Sequence, residues 1–276
     1  MRHRLSPGII FLLAFFSVIP AAGQDCFGDT FCVFSEQRGD TINVFVDNKR
    51  PADVSVRFKA TRTNLIPTVP LPYSASFPGN RRTRAFSLIV ADRGASWSYK
   101  FDLRWLFGSM TARHDDRYVY ELPYAAGTEH LVGQGYNGAF SHRGINAIDW
   151  NMPEGTPIYA AREGVVVDLE DQYARGGTDE QLKEKANFVM IRHPDGTIGN
   201  YVHLMRGGAR VQRGQRIRQG QLLGLSGNTG YTTGPHLHFE VFKIGRDLKR
   251  KTIPVRFAVR GHPEGITLKE GETYRQ

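Results

Sequence analysis

Five residues in the carboxy-terminal half of this chain have types and spacings that could hold and use a metal ion. His236 and His238 lie two apart in Gly234-Pro-His-Leu-His-Phe-Glu240. In a strand, residues i and i+2 project from one face, so the two imidazoles stand side by side. Imidazole nitrogen suits Zn²⁺, and a catalytic zinc keeps three protein ligands and one open position. The segment Ser141-His-Arg-Gly-Ile-Asn-Ala-Ile-Asp-Trp150 offers His142 and Asp149 as the remaining nitrogen and oxygen, provided its loop returns beside the strand. Asn146 in the same segment is a competing oxygen donor. Tyr201-Val-His203-Leu204 adds a fifth group of suitable chemistry. A histidine taken alone is usually a surface group or a satisfied core residue. Two of them bracketed by Gly-Pro and Phe-Glu, with others upstream, are not explained that way.

Groups so far apart in sequence converge only if rigid elements carry them. Short strands are expected at 157–161, 164–169, 188–192 and 236–242. The one helical signal is Thr178-Asp-Glu-Gln181, a capping box before a charged, Leu- and Lys-containing stretch, within a surface excursion near 170–186. His193 stands in the turn signature Arg-His-Pro-Asp-Gly and is expected to be a structural hairpin residue. Gly227, Gly230 and Gly234 are expected to permit tight turns and close approach at a cleft wall. Gln134-Gly-Tyr-Asn137 could line a groove. There Tyr136 is either a substrate contact or packing, and Asn187 is a second candidate contact to substrate backbone.

Upstream, from Asp40 to about Leu122, the pattern has period two. Val54, Val56, Phe58 and Ala60 alternate with polar neighbours, as do Tyr99, Phe101, Leu103, Trp105 and Phe107. Such alternation, broken by Gly, Pro and Asn, predicts half-buried strands and a small immunoglobulin-like β-sandwich. No cluster of metal ligands or nucleophile–base pairs stands in this region, so scaffolding or substrate positioning is its expected job. Arg113-His-Asp-Asp116 is expected to be a solvated connector. Glycine and histidine then become frequent. The division that follows is 24–118 for the sandwich and 119–276 for a second β-rich domain, with its core at 120–242 and a carboxy-terminal extension.

The second domain resembles the lysostaphin-type (LytM-like) zinc metallopeptidases, which cut peptide cross-links in bacterial cell walls. The similarity runs from about Tyr120 to Phe242. It rests on His142 before Asp149, Gly155-Thr-Pro157 and Ala160-Ala161, Tyr201-Val-His203-Leu204, Ser226-Gly-Asn-Thr-Gly230 and His236-Leu-His-Phe239, all in the family's order. The resemblance implies one Zn²⁺ held by His142, Asp149 and His238, with His203 and His236 beside the metal water rather than on the metal. It also implies an open groove and a reaction in which zinc acidifies water while one or both helper histidines move the proton or stabilise the oxyanion. One departure is the six residues between His142 and Asp149, against a commoner spacing of three. Glu240 and backbone carbonyls are candidate acceptors for the ligand histidines' second nitrogens.

The amino terminus sets the compartment. Basic Met1-Arg-His-Arg4, an apolar run Ile9 to Ile19 and Pro20-Ala-Ala-Gly23 have the order of a cleaved signal peptide, residues 1–23. Export to the periplasm or the medium is expected, with no stable membrane anchor after cleavage. Cys26 and Cys32 are the only cysteines, and an oxidising compartment would pair them. Losing Arg2 and Arg4 lowers the formal net charge from +9 to +7. That surplus favours an anionic partner, and for an exported protein the cell wall fits better than nucleic acid. The cations are scattered, with no aromatic-interleaved stripe, so no nucleic-acid partner is expected. The expected function is therefore endopeptidase cleavage of peptidoglycan cross-links, D-alanyl–diaminopimelate bonds being preferred. The alternatives are a non-catalytic regulator of other wall hydrolases, an enzyme kept latent by its amino-terminal domain, and a peptidase acting on proteins.

Overall fold

The computed structural model describes residues 24–276, and the expected signal peptide lies outside them. Nearly every element is a strand. A single 3₁₀ turn, Glu180–Leu182, is the one helical element among the described residues. The anticipated capping box is replaced there by Asp179, whose carboxylate accepts from the Gln181 amide at 2.9 Å. None of the three helical residues is buried. A helix in water needs an apolar face to bury, and this stretch has none, so only one turn forms.

The first 85 or so described residues build two sheets that face one another. One has the spatial order Gln24–Phe27, Phe31–Arg38, Thr41–Asn48, Arg81–Val90, Leu65–Pro67; the other is Tyr73–Phe77, Val54–Thr63, Ser98–Phe107. Period-two alternation turns Ile42, Val44 and Val46 of the first sheet towards Val54, Val56, Phe58 and Phe77 of the second, in one apolar core. Cys26 and Cys32 are register partners across the first hairpin and form a disulfide.

The remaining chain is organised around a nine-stranded sheet. At its centre His236–Ile244 is flanked by Ile198–Leu204 and Ala147–Asn151, and beyond Ile198–Leu204 lies Asn187–Arg192. The expected strands are present with bounds shifted by one or two residues, as Pro157–Tyr159, Gly164–Glu170, Asn187–Arg192 and His236–Ile244. One face of the His236–Ile244 strand buries Leu237, Phe239 and Val241 in a core with Trp150, Tyr201 and Phe257. Its other face presents His236, His238 and Glu240, then Phe242 and Ile244. These last two join Ala52, Val167, Met190 and Ile198 in a third buried cluster, against which Leu106 and Met110 pack. That cluster connects the two-sheet unit to the large sheet. Gly108, with φ +109°, lies so close that an added Cβ would stand 3.1 Å from Ile244. In the connector, Arg113 and Asp116 are exposed, but the His114 side chain is only 6% exposed, stacks on Tyr120 and is hydrogen-bonded to Asp116. It is not the fully solvated segment expected.

Candidate metal centre

Strand pairing places two of the expected ligands. Asp149 and His238 are direct register partners across the Ala147–Asn151 and His236–Ile244 strands, and His238 Nδ1 lies 2.9 Å from Asp149 Oδ1. His142 arrives from a loop. Its Nε2 stands 3.2 Å from Asp149 Oδ2 and 3.3 Å from His238 Nδ1. The long spacer before Asp149 is accounted for by a turn over His142–Ile145. The Ile145 amide donates to the His142 carbonyl at 2.9 Å, and Gly144 fills the position that needs positive φ, at +74°. Asn146 is turned away, its amide groups bonded to Thr252, and does not compete as a ligand.

The donor set fits zinc. Ligand bonds of about 2.0–2.1 Å at tetrahedral angles put donor atoms roughly 3.3 Å apart, and the three separations here are 2.9, 3.2 and 3.3 Å. Among the described residues, His142, Asp149 and His238 are the group of metal-binding side chains whose donor atoms converge in this way. Protonation agrees. His142 Nδ1–H donates to the Gly135 carbonyl at 3.0 Å, which leaves Nε2 as a lone pair facing Asp149. A backbone carbonyl is thus its outer partner. Glu240, the side chain considered for such a role, instead accepts from Arg250 and Asn200. Burial pushes the Asp149 carboxyl up, but the His142 and His238 imidazoles beside it outweigh this and hold the group well below the usual carboxylate range. Burial likewise depresses His238, and the Asp149 hydrogen bond and charge overcome this and raise it.

His203 and His236 stand beside the donors, their ring centroids 4.5 Å apart. Each commits Nδ1–H to a backbone carbonyl: His203 to Thr229 at 2.6 Å, His236 to Gly234 at 2.8 Å. In both rings Nε2 is left as the acceptor, and His236 Nε2 lies 3.8 Å from Asp149 Oδ1. Burial first, then the charges of His236 and His238, pushes His203 down to about 3, so it is neutral at pH 7. His203 also holds a left-handed backbone, φ +66°, which costs a non-glycine residue on the order of 1 kcal/mol or more. Ser226 and Gly227 bridge the ends of the two strands that carry these histidines. An added Cβ on Gly227 would meet the Met205 amide nitrogen at 2.4 Å, so only glycine permits that approach. Gly230 needs positive φ, at +83°. Open space surrounds Gly234, where no close approach demands glycine.

These groups line an open cleft of about 480 Å³, whose walls include Phe140, Ser141, Asn151, Tyr231, Thr232 and Glu270. Two expected contacts are not among them. Asn187 is fully buried, with its side-chain amide bonded to Tyr173 and Leu204; it ties the 170–186 excursion to the sheet. Tyr136 packs on the core, its hydroxyl donating to the Val255 carbonyl and accepting from the Val255 amide. Asn187 is thereby a structural position rather than a substrate contact, and Tyr136 takes the packing role that was its alternative, because each spends its polar group inside the protein. His193 is buried and donates Nδ1–H to the Glu163 carbonyl, the hairpin role expected.

One important residue escaped sequence reasoning in its role. Gln134 is the register partner of Asp149, and its Nε2 donates to Asp149 Oδ2 at 3.0 Å and to Ser141 Oγ at 2.8 Å. Its Oε1 accepts from the Phe140 and Ser141 amides at 3.1 and 2.9 Å. One buried amide therefore holds a ligand carboxylate and the loop that delivers His142. Phe140, 66% exposed at the cleft rim, was also missed. An isolated aromatic in a turn carries no periodic signal.

A β-sheet scaffold with three convergent donors and an open, histidine-flanked cleft defines a mononuclear zinc site. Residues 142–250 match the model of Peptidase family M23. The chain is 38% identical over 116 residues to peptidoglycan DD-endopeptidase ShyA of Vibrio cholerae, covering 41% of this chain and 24% of that protein. It is 37% identical over 134 residues to peptidoglycan DD-endopeptidase ShyC of the same organism, covering 49% and 26%. The chain thus spans about a quarter of the length of these relatives. Among solved structures, the catalytic domain of lysostaphin from Staphylococcus simulans aligns at 26% identity over 45% of this chain and 87% of that one, with a TM-score of 0.33.

Proposed function

We propose that this chain is an exported zinc metalloendopeptidase that hydrolyses peptide cross-links of bacterial peptidoglycan, with residues 24–118 and 119–276 as positioning and catalytic domains. The observation that carries the reading is the convergence of His142 Nε2, Asp149 and His238 Nδ1 beside two histidines whose Nε2 atoms are free to accept. Zinc bound there supplies Lewis acidity and lowers the pKa of a coordinated water from about 15.7 towards 7. His203, neutral and fixed through Thr229, is placed to take a proton, and His236, fixed through Gly234, to hold or return it. The open cleft admits a peptide within a larger polymer. The names of the relatives, DD-endopeptidases, support a D-alanyl–diaminopimelate link as the bond cut. They also favour an extracytoplasmic setting. No helix among the described residues is long and apolar enough to cross a membrane.

The regulator alternative requires lost ligands, and all are present. The latent alternative requires the amino-terminal domain in the groove, whereas the lining residues all fall between Gly133 and Glu270. The test is to incubate the zinc-loaded protein and its His238→Ala variant with purified peptidoglycan and separate the released fragments. Cross-linked dimers should convert to monomers with glycan chains intact, and only in the wild type. No difference between the two proteins would sink the proposal.

A further inference from the structure

The exposed face of the three-stranded sheet carries three cations against a single carboxylate, Asp102, the register partner of Lys59. Arg57 and Arg104 are direct register partners on neighbouring strands, both exposed, and Lys59 follows two residues along the same face. Like charges directly opposite in a sheet destabilise it, so the fold gains nothing from the pair. These three residues line a cleft of about 380 Å³ together with Pro72 and one carboxylate, Asp102. Pro72 leads into Tyr73–Phe77, the edge strand of that sheet. Ser74, Ala75 and Ser76 of this strand line a second cleft of about 800 Å³ at the junction with the large sheet. Arg113, Lys243, Arg246 and Lys251 line that second cleft. Ser74 is itself the register partner of Arg57, so this edge strand borders both clefts. Among the described residues, only Lys251 of these seven cations has a carboxylate within ion-pair distance, Asp247 at 3.8 Å. The cleft at the metal centre is the opposite case, lined by no lysine or arginine.

We infer that this basic track, from Arg57, Lys59 and Arg104 to Arg113, Lys243 and Arg246, is a second binding site for the carboxylate-bearing stem peptides of the cell-wall polymer. It rests on the proposed substrate and assigns to the amino-terminal unit the task of gripping that polymer away from the bond cut. A row of cations over two clefts that flank one strand fits a repeating anion better than a single small one. The metal cleft, without cations, is left to the neutral peptide link.

The test uses the full mature chain stripped of zinc, so that binding is read without cutting. Binding to purified insoluble peptidoglycan is measured by sedimentation over a salt series. Wild type should bind, and binding should weaken as salt rises. The variant carrying Arg57→Gln, Lys59→Gln and Arg104→Gln should bind about tenfold or more weakly. With zinc restored, it should cut a small soluble cross-linked peptide as fast as wild type. Amidating the stem-peptide carboxylates should reduce wild-type binding to the variant's level. A control with Arg38→Gln, Arg81→Gln and Lys185→Gln removes equal charge elsewhere and should leave binding intact. Equal losses in the two triple variants, or none in the first, would overturn the inference. So would binding that follows anionic phospholipid vesicles rather than the polymer. If the wild type binds but cuts neither polymer nor soluble peptide, the catalytic reading fails while this one stands.

Discussion

Gln134 illustrates how much of a metal site lies outside its ligands. Its carboxamide joins Asp149 to the loop bearing His142, so its removal should loosen two of the three donors at once. The variant Gln134→Ala is expected to stay folded yet bind zinc about 10–100-fold more weakly, as outer partners of metal ligands typically do. Competition with a chromophoric chelator measures this directly, independently of turnover. An unchanged zinc affinity would reduce Gln134 to a loop cap. The three donors and the two histidines that stand beside them were legible in sequence as a group because each has a chemistry-specific type and a spacing tied to strand geometry. Gln134 was not, because its role follows from strand pairing opposite Asp149, and nothing local in Val-Gly-Gln-Gly announces that partner. Asn187 failed for the converse reason. A polar side chain in a cleft and one satisfied inside a sheet look identical in sequence.

At the level of elements, the hairpin joining Asn187–Arg192 to Ile198–Leu204 carries a titratable weak point. His193 is buried, and burial pushes its pKa down to about 4 although the Glu163 carbonyl accepts its proton. Above the unfolded value of about 6.5 both states are neutral and nothing is lost. As pH falls from there through 4 the unfolded chain takes up a proton that the folded one refuses, so stability declines. The loss should reach on the order of 3 kcal/mol. Denaturant midpoints of zinc-free wild type and His193→Gln, compared between pH 7 and 4, isolate the contribution. Parallel pH profiles would show that His193 charges freely in the fold. The Pro-Asp-Gly turn made this hairpin visible beforehand. The helix near 178 misled because a capping signal is local, whereas helix length depends on an apolar face that this segment lacks.

Across the whole molecule, the cluster of Phe242, Ile244, Ile198 and Ala52 decides whether two units behave as one. Both units contribute apolar side chains to it, so a single thermal transition is expected for the intact chain. Replacing Ile244 with alanine opens a cavity there and should cost about 2–5 kcal/mol. Calorimetry should then resolve two transitions, the two-sheet unit separating from the metal-binding sheet. One unshifted transition would mean that the junction contributes nothing to cooperativity. Alternation in the first half and short strand-like runs in the second foretold both sets of strands, but this junction is built from residues that look like ordinary strand positions of either unit.

The strand His236–Ile244 also acts as a ruler. Its site-facing side runs from His238 through Glu240 to Ile244, six residues at about 3.3 Å each, or roughly 20 Å of nearly inextensible backbone. A ligand held on the proposed basic track would therefore lie a fixed stride from the three metal donors. Under the proposed function, a polymer with repeating cross-links would be cut at positions in phase with its own repeat, so that the protein measures distance as well as reading chemistry.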